Sequence, residues 1–88
     1  MRVDLFLKMS RLEPRRSVAQ QMCEAGAVKI NGARAKSAHT VRAGDQIAIR
    51  KRGRITTVRV AEVPARPPSK AEAASLYETI SVETYDVD

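Results

Sequence analysis

The pair Asn31-Gly32 constrains this chain more than any other two residues. A two-residue hairpin loop needs positive φ at both central positions. Asn tolerates that conformation and Gly adopts it freely, so Asn-Gly between alternating runs marks a tight β-hairpin. Val28 and Ile30 alternate with Lys29 before the turn, and residues 33–36 return after it. Lys29, Arg34 and Lys36 crowd positive charge around the turn, a pattern suited to an anionic partner.

Elements upstream and downstream follow from spacing. Leu5, Met9 and Leu12 recur at helical intervals with Phe6 beside them, which predicts a helix over 4–12 with Asp4 in its favourable first turn. Pro14 breaks that helix and can open the next, predicted over 14–25 with Val18, Met22 and Ala25 on its inner side and Gly26 as its stop. Gly44-Asp45 predicts a second turn, Ile47 and Ile49 a strand, and Lys51-Arg52-Gly53-Arg54 a basic turn into a strand over 55–63. Pro64, Pro67 and Pro68 end the sheet. Ser69 and Glu72 have capping-box spacing, predicting a third helix over 70–80, followed by a frayed acidic tail over the last eight residues. The expected fold class is α+β: two N-terminal helices on a small antiparallel sheet, plus a short C-terminal helix. The expected organisation is a domain over 1–63, a proline-rich linker over 64–69, and a helix with acidic tail over 70–88.

Charge narrows the partner. Residues 1–60 carry 14 Lys or Arg against four acids, whereas residues 61–88 carry two against six. A basic body with an acidic end points to a polyanion. Aromatic content is 3%, with Phe6, Tyr77 and Tyr85 as the available rings, which argues against recognition by base stacking. The lone Cys23 and lone His39 exclude an intramolecular disulfide and an ordinary zinc site. No metal or cofactor is implied. The sequence has no apolar run of the roughly 20 residues a membrane span needs and no clear leader, so the expected location is the cytoplasm.

The order of these features resembles the RNA-binding domain named after ribosomal protein S-four, also called the αL motif. The resemblance rests on Arg2-Val3-Asp4-x-Phe6-Leu7, Arg15-Arg16-Ser17-x-Ala19, Gly26-x-Val28-x-Ile30-Asn31-Gly32, Lys36, Val41 and Gly44-Asp45-x-Ile47, and spans about residues 1–50. The proline-rich turn and the stretch from Lys70 to Tyr77 make the chain similar to the bacterial heat-shock-protein-fifteen family, in particular its short ribosome-quality-control type. The longer members have a basic C-terminal extension, whereas this chain ends acidic. The resemblance implies a monomeric, non-catalytic factor that binds ribosomal RNA and peptidyl-tRNA on stalled large ribosomal subunits and supports nascent-chain tailing.

It also implies that the hairpin and second helix form an RNA-gripping face. The residues expected to contact RNA are Arg2, Lys8, Arg11, Arg15, Arg16, Ser17, Gln20, Lys29, Asn31, Arg34 and Lys36. Arg50, Lys51, Arg52 and Arg54 are further candidates, with a solvated, edge-protecting loop as the equal alternative. Asp4 is expected to cap its helix or to orient Arg2 or Arg16. Gly26, Gly32, Gly44 and Asp45 are expected to shape turns. Arg16 is expected to be exposed and dispensable for folding. Cys23 is expected in the core rather than as a nucleophile. Two other functions compete: a general structured-RNA or DNA-binding regulator, and an RNA-modifying enzyme, since such domains are often fused to one.

Overall fold

A computed structural model describes residues 1–85. Its elements, in chain order, are α1 (Val3–Met9), α2 (Arg16–Glu24), β1 (Val28–Ile30), β2 (Ala33–Arg34), β3 (Gln46–Lys51), β4 (Arg54–Val60), α3 (Lys70–Ala74) and β5 (Tyr77–Thr84). The strands form one antiparallel sheet in the order β2-β1-β3-β4-β5. Val3, Phe6 and Leu7 of α1 and Ala19 and Cys23 of α2 pack in one buried cluster with Val28, Ile30, Ile47, Ile49, Val58 and Val60 of the sheet.

Cross-strand partners share a face of the sheet, so the register divides its side chains. Val28, Ile49, Thr56 and Val82 form one row on the helix-covered face, and Ile30, Ile47, Val58 and Thr79 form another. Lys29, Ala48, Thr57 and Ser81 form a row on the opposite, open face.

The turns match their sequence signals. Asn31 and Gly32 have φ of 51° and 86°, and the Asn31 amide ties the turn to the next strand by donating to Asp45 (3.1 Å) and accepting from the Gln46 N–H (3.0 Å). Gly26, at φ 76°, ends α2 in a Schellman arrangement: its N–H donates to the Cys23 carbonyl and that of Ala27 to the Met22 carbonyl. Ser69 and Glu72 form the reciprocal capping box.

Several expected boundaries move. α1 stops at Met9 because Ser10 closes it and Arg11 turns left-handed at φ 63°, carrying Leu12 out of the helix. α2 begins at Arg16 rather than Pro14; before it the Glu13 carboxylate accepts the Arg15 N–H at 3.0 Å. The strand expected over 55–63 ends at Val60.

The largest correction is at the C-terminal end. The helix expected over 70–80 stops at Ala74, and Tyr77–Thr84 is a strand paired along β4. Tyr, Thr, Ile and Val dominate this stretch and favour a pleated surface. The apolar spacing of Ala73, Leu76, Tyr77 and Ile80 suits a helix only if the available β4 edge is ignored. Ser81 to Thr84, expected to fray, therefore complete the sheet, while residues 86–88 of the expected tail lie outside the described residues.

No neighbouring atom lies within 4 Å of a Cβ built on Gly32, so its φ of 86° is the sole obstacle to substitution. Gly32→Val is expected to destabilise the protein by roughly 1–2 kcal/mol in urea unfolding, with Gly32→Asn recovering most of the loss. Equal midpoints for Val and Asn would contradict this turn.

Candidate nucleic-acid interface

The N-terminus is threaded into the body before α1 begins. The Val3 N–H donates to the His39 carbonyl, Asp4 N–H to Ser37, and Val41 N–H to Met1, while Arg2 bridges Thr40. This backbone frame brings Asp4 against α2 with no exposed surface.

The buried Asp4 carboxylate collects five hydrogen bonds from four residues. Arg2 grips it with Nε and Nη2, both at 3.1 Å; the Leu5 N–H donates at 2.8 Å; from α2, Gln20 Nε2 donates at 2.9 Å and Arg16 Nε at 3.3 Å. Arg16 and Gln20 stand one helical turn apart, so both reach the same point. Burial pushes the Asp4 carboxyl up, but the hydrogen bonds from Gln20, Arg2, Arg16 and Leu5 outweigh it and hold the group below its ordinary value of 3.8. The Arg2 and Arg16 side chains remain 47% and 41% exposed. One buried anion thus fixes two arginine side chains that both remain partly exposed.

Of the two arginines named as possible partners of Asp4, both pair with it. The expectation that Arg16 is dispensable for folding needs correction, because it neutralises a buried charge. Gln20 has the same double position, half-buried and bonded to Asp4.

Other candidates extend this face. Arg2, Arg34 and Lys36 line one open cleft of about 510 Å³ beside Ser37. Arg34 also donates to the Glu24 carbonyl at the end of α2, where a cation suits the helix dipole. Arg15 and Ser17 are exposed at the start of α2. Lys8 and Arg11 line a recess with Pro67 and Pro68, so the proline-rich segment lies against the end of α1.

The structure does not bring all candidates together. Lys29 and Arg50 line a recess on the open face of the sheet, away from the helices. Asn31 is occupied in joining its turn to β3. Lys51 is drawn inward by Glu13, 4% exposed, at 2.6 Å. That bond, followed by burial in the opposite sense and the Arg15 N–H, holds the Glu13 carboxyl below its ordinary range. Sequence reasoning missed this pair, and a separation of 38 residues offers no local signal for it. Arg52 and Arg54 lie beyond Lys51 in a separate groove. Cys23 is 2% exposed, and burial pushes its thiol up, which suits a core residue.

A two-helix basic face on a hairpin-led antiparallel sheet defines a class of domain, and the family model described as S4 domain matches residues 1–47. A protein of Halalkalibacterium halodurans named RQC P-site tRNA stabilizing factor is 42% identical over 89% of this chain and 88% of its own. Proteins of the same name from Bacillus subtilis and Streptococcus pneumoniae are 39% identical over 94% and 95%, and 40% identical over 92% and 91%. The chain belongs to the S4 domain family, within the group these factors form. Among solved structures, the trimeric Heat Shock Protein 15 of Vibrio cholerae superposes with a TM-score of 0.84 at 32% identity, over 92% of this chain and 82% of that one.

The Asp4 cluster makes a pH-dependent prediction. Asp4→Asn keeps an acceptor but removes the charge, and is expected to cost about 1–3 kcal/mol at neutral pH. Because the folded carboxyl lies below its ordinary value of 3.8, its contribution is full above that value and lost as pH falls through the folded one. Urea midpoints of wild type and Asp4→Asn should therefore converge as pH drops from about 6 to 2; a constant gap would contradict ion pairing as the source.

Proposed function

We propose that this chain is a non-catalytic RNA-binding factor of ribosome-associated quality control. In this reading it binds ribosomal RNA and tRNA on large subunits stalled with peptidyl-tRNA, steadies the tRNA, and so supports tailing of the nascent chain. The observation that carries the RNA-binding part is the Arg2–Asp4–Arg16 cluster: two fixed, half-exposed arginine side chains on one buried carboxylate. A guanidinium can hold a phosphate with two parallel hydrogen bonds, and fixing it beforehand reduces the ordering cost of each contact.

The names of the relatives support the ribosomal part, since each is called a P-site tRNA stabilizing factor. Arg2, Lys8, Arg11, Arg15, Arg16, Ser17, Gln20, Arg34 and Lys36 are the proposed contacts on the helical side, and Lys29 and Arg50 on the open sheet face. Scarce aromatic residues suit recognition through phosphates and duplex shape. We place the protein in the cytoplasm, acting as a monomer: β2 spans two residues, and the pairing of β5 with β4 shifts register between Thr57 and Val58, features that discourage edge pairing. No helix among the described residues is long and apolar enough to cross a membrane.

Co-sedimentation tests the reading. Tagged protein should travel with free large subunits, and cryo-EM of those particles should place it beside tRNA. Association with scattered transcripts instead would favour a general RNA- or DNA-binding regulator. Purified protein that modifies ribosomal RNA would favour an enzyme.

Two outcomes follow for affinity. Neutralising about 5 to 8 phosphates gives a log–log salt slope of roughly −4 to −7; a flat response would contradict phosphate recognition. Arg16→Ala should weaken binding by about 1–3 kcal/mol, with Arg16→Lys restoring part of it. Arg66→Ala, which removes an exposed cation from the proline-rich segment, should have little effect. Equal losses at both positions would mean that bulk charge drives binding.

A further inference from the structure

The row Val28–Ile49–Thr56–Val82 runs across four strands on the helix-covered face, yet its exposure rises steadily along the row. Val28 is fully buried, Ile49 is 5% exposed, Thr56 is intermediate, and Val82 is 52% exposed. The core therefore extends over β1, β3 and the Val58–Val60 end of β4, and leaves open the corner of the same face around Thr56 and Val82. Here Leu12, carried out of α1 by the left-handed turn at Arg11, joins Ile49 and Thr56 as the floor of an open groove of about 380 Å³.

The rim of this groove is cationic. Lys51, Arg52 and Arg54 line it, with Arg54 facing Thr84 across the β4–β5 pair. Among the described residues Arg52 and Arg54 form no ion pair, and Lys51 shares its charge with Glu13. Arg52 also sits at φ 53°, a conformation that Asn or Gly would adopt with less strain, so the hairpin tip carries a guanidinium at a conformational cost. The groove shares no residue with the Asp4 cluster or with the cleft of Arg2, Arg34 and Lys36.

We propose that this groove is a docking site for an acidic, aliphatic segment of a partner protein, which sets leucine-like side chains on Leu12 and Ile49 within it and on Val82 beside it, opposite Thr56, and carboxylates against Arg52 and Arg54. Charge complementarity selects the anionic segment, and the aliphatic floor selects protein over RNA. Nucleotide bases gain little from a floor with no aromatic ring. Arginine is also among the residue types enriched at the energetically important positions of protein interfaces.

The test is an NMR titration of the intact, isotope-labelled protein with a synthetic peptide of leucine pairs set among glutamates. Polyglutamate and a short oligouridylate RNA are run in parallel. The expected result is that the peptide shifts the signals of Leu12, Ile49, Thr56 and Val82, and that Arg54→Glu and Val82→Asp each weaken it about tenfold. Both side chains are exposed, so both variants should fold. Arg59→Glu makes the same charge change on the open face, where Arg59 pairs with Glu78, and should stay within about twofold of wild type. Polyglutamate binding as tightly as the peptide, a loss at Arg59→Glu equal to that at Arg54→Glu, or no shift at the groove would overturn the proposal. So would the oligouridylate shifting the same groove signals, which would make this an RNA surface.

Discussion

The carboxylate of Asp4 is the interaction on which the structure most depends. It lies at zero exposure between α1 and α2, and an unpaired charge in that place would be costly. Every means of relieving that cost shapes the protein. Arg16 and Gln20 bind α2 to α1, Arg2 fastens the entering strand, and the Leu5 N–H satisfies the helix start. The same bonds hold two half-exposed arginine side chains. On the proposed function, a stabilising contact and a recognition surface are therefore one object, and neither can be altered alone.

A second buried acid repeats the logic at the other end of α1. Glu13, between the two helices, accepts the Arg15 N–H and draws in Lys51 from the end of β3. One carboxylate joins the start of α1 to α2, and the other joins the segment between the helices to the end of β3, while Val3, Phe6 and Leu7 seat α1 in the core. Small domains bury little apolar surface, and well-partnered buried charges add definition that packing alone would leave loose.

What could be read from the sequence was local. Asn31-Gly32, Gly26 and the Ser69–Glu72 box act within a few residues of themselves, and the structure has each as its neighbours imply. Asp4 was a fair inference because one of its partners, Arg2, is two residues away. Its role as anchor of both arginines depends on helix packing that no spacing encodes. Alternation around Lys29 placed it opposite Val28 and Ile30, which is enough to turn it from the helices, although charge alone grouped it with Arg16. The Glu13–Lys51 pair joins elements by tertiary packing and left no mark in the sequence pattern. The start of the final strand reads as helix in the sequence because Ala73, Leu76, Tyr77 and Ile80 satisfy a helical period, while the pairing partner that decides the matter, β4, lies well upstream.

The central claim is that Asp4 acts on RNA through Arg16 rather than beside it. A double-mutant cycle reads that directly: affinity for purified large ribosomal subunits is measured for wild type, Asp4→Asn, Arg16→Ala and the double variant, at one salt concentration. A positioning carboxylate predicts that the two losses overlap, with the double variant weaker than Arg16→Ala by much less than the Asp4→Asn loss and a coupling energy of at least about 1 kcal/mol. Losses that add to within about 0.5 kcal/mol would mean that the two side chains serve binding independently and would contradict the account.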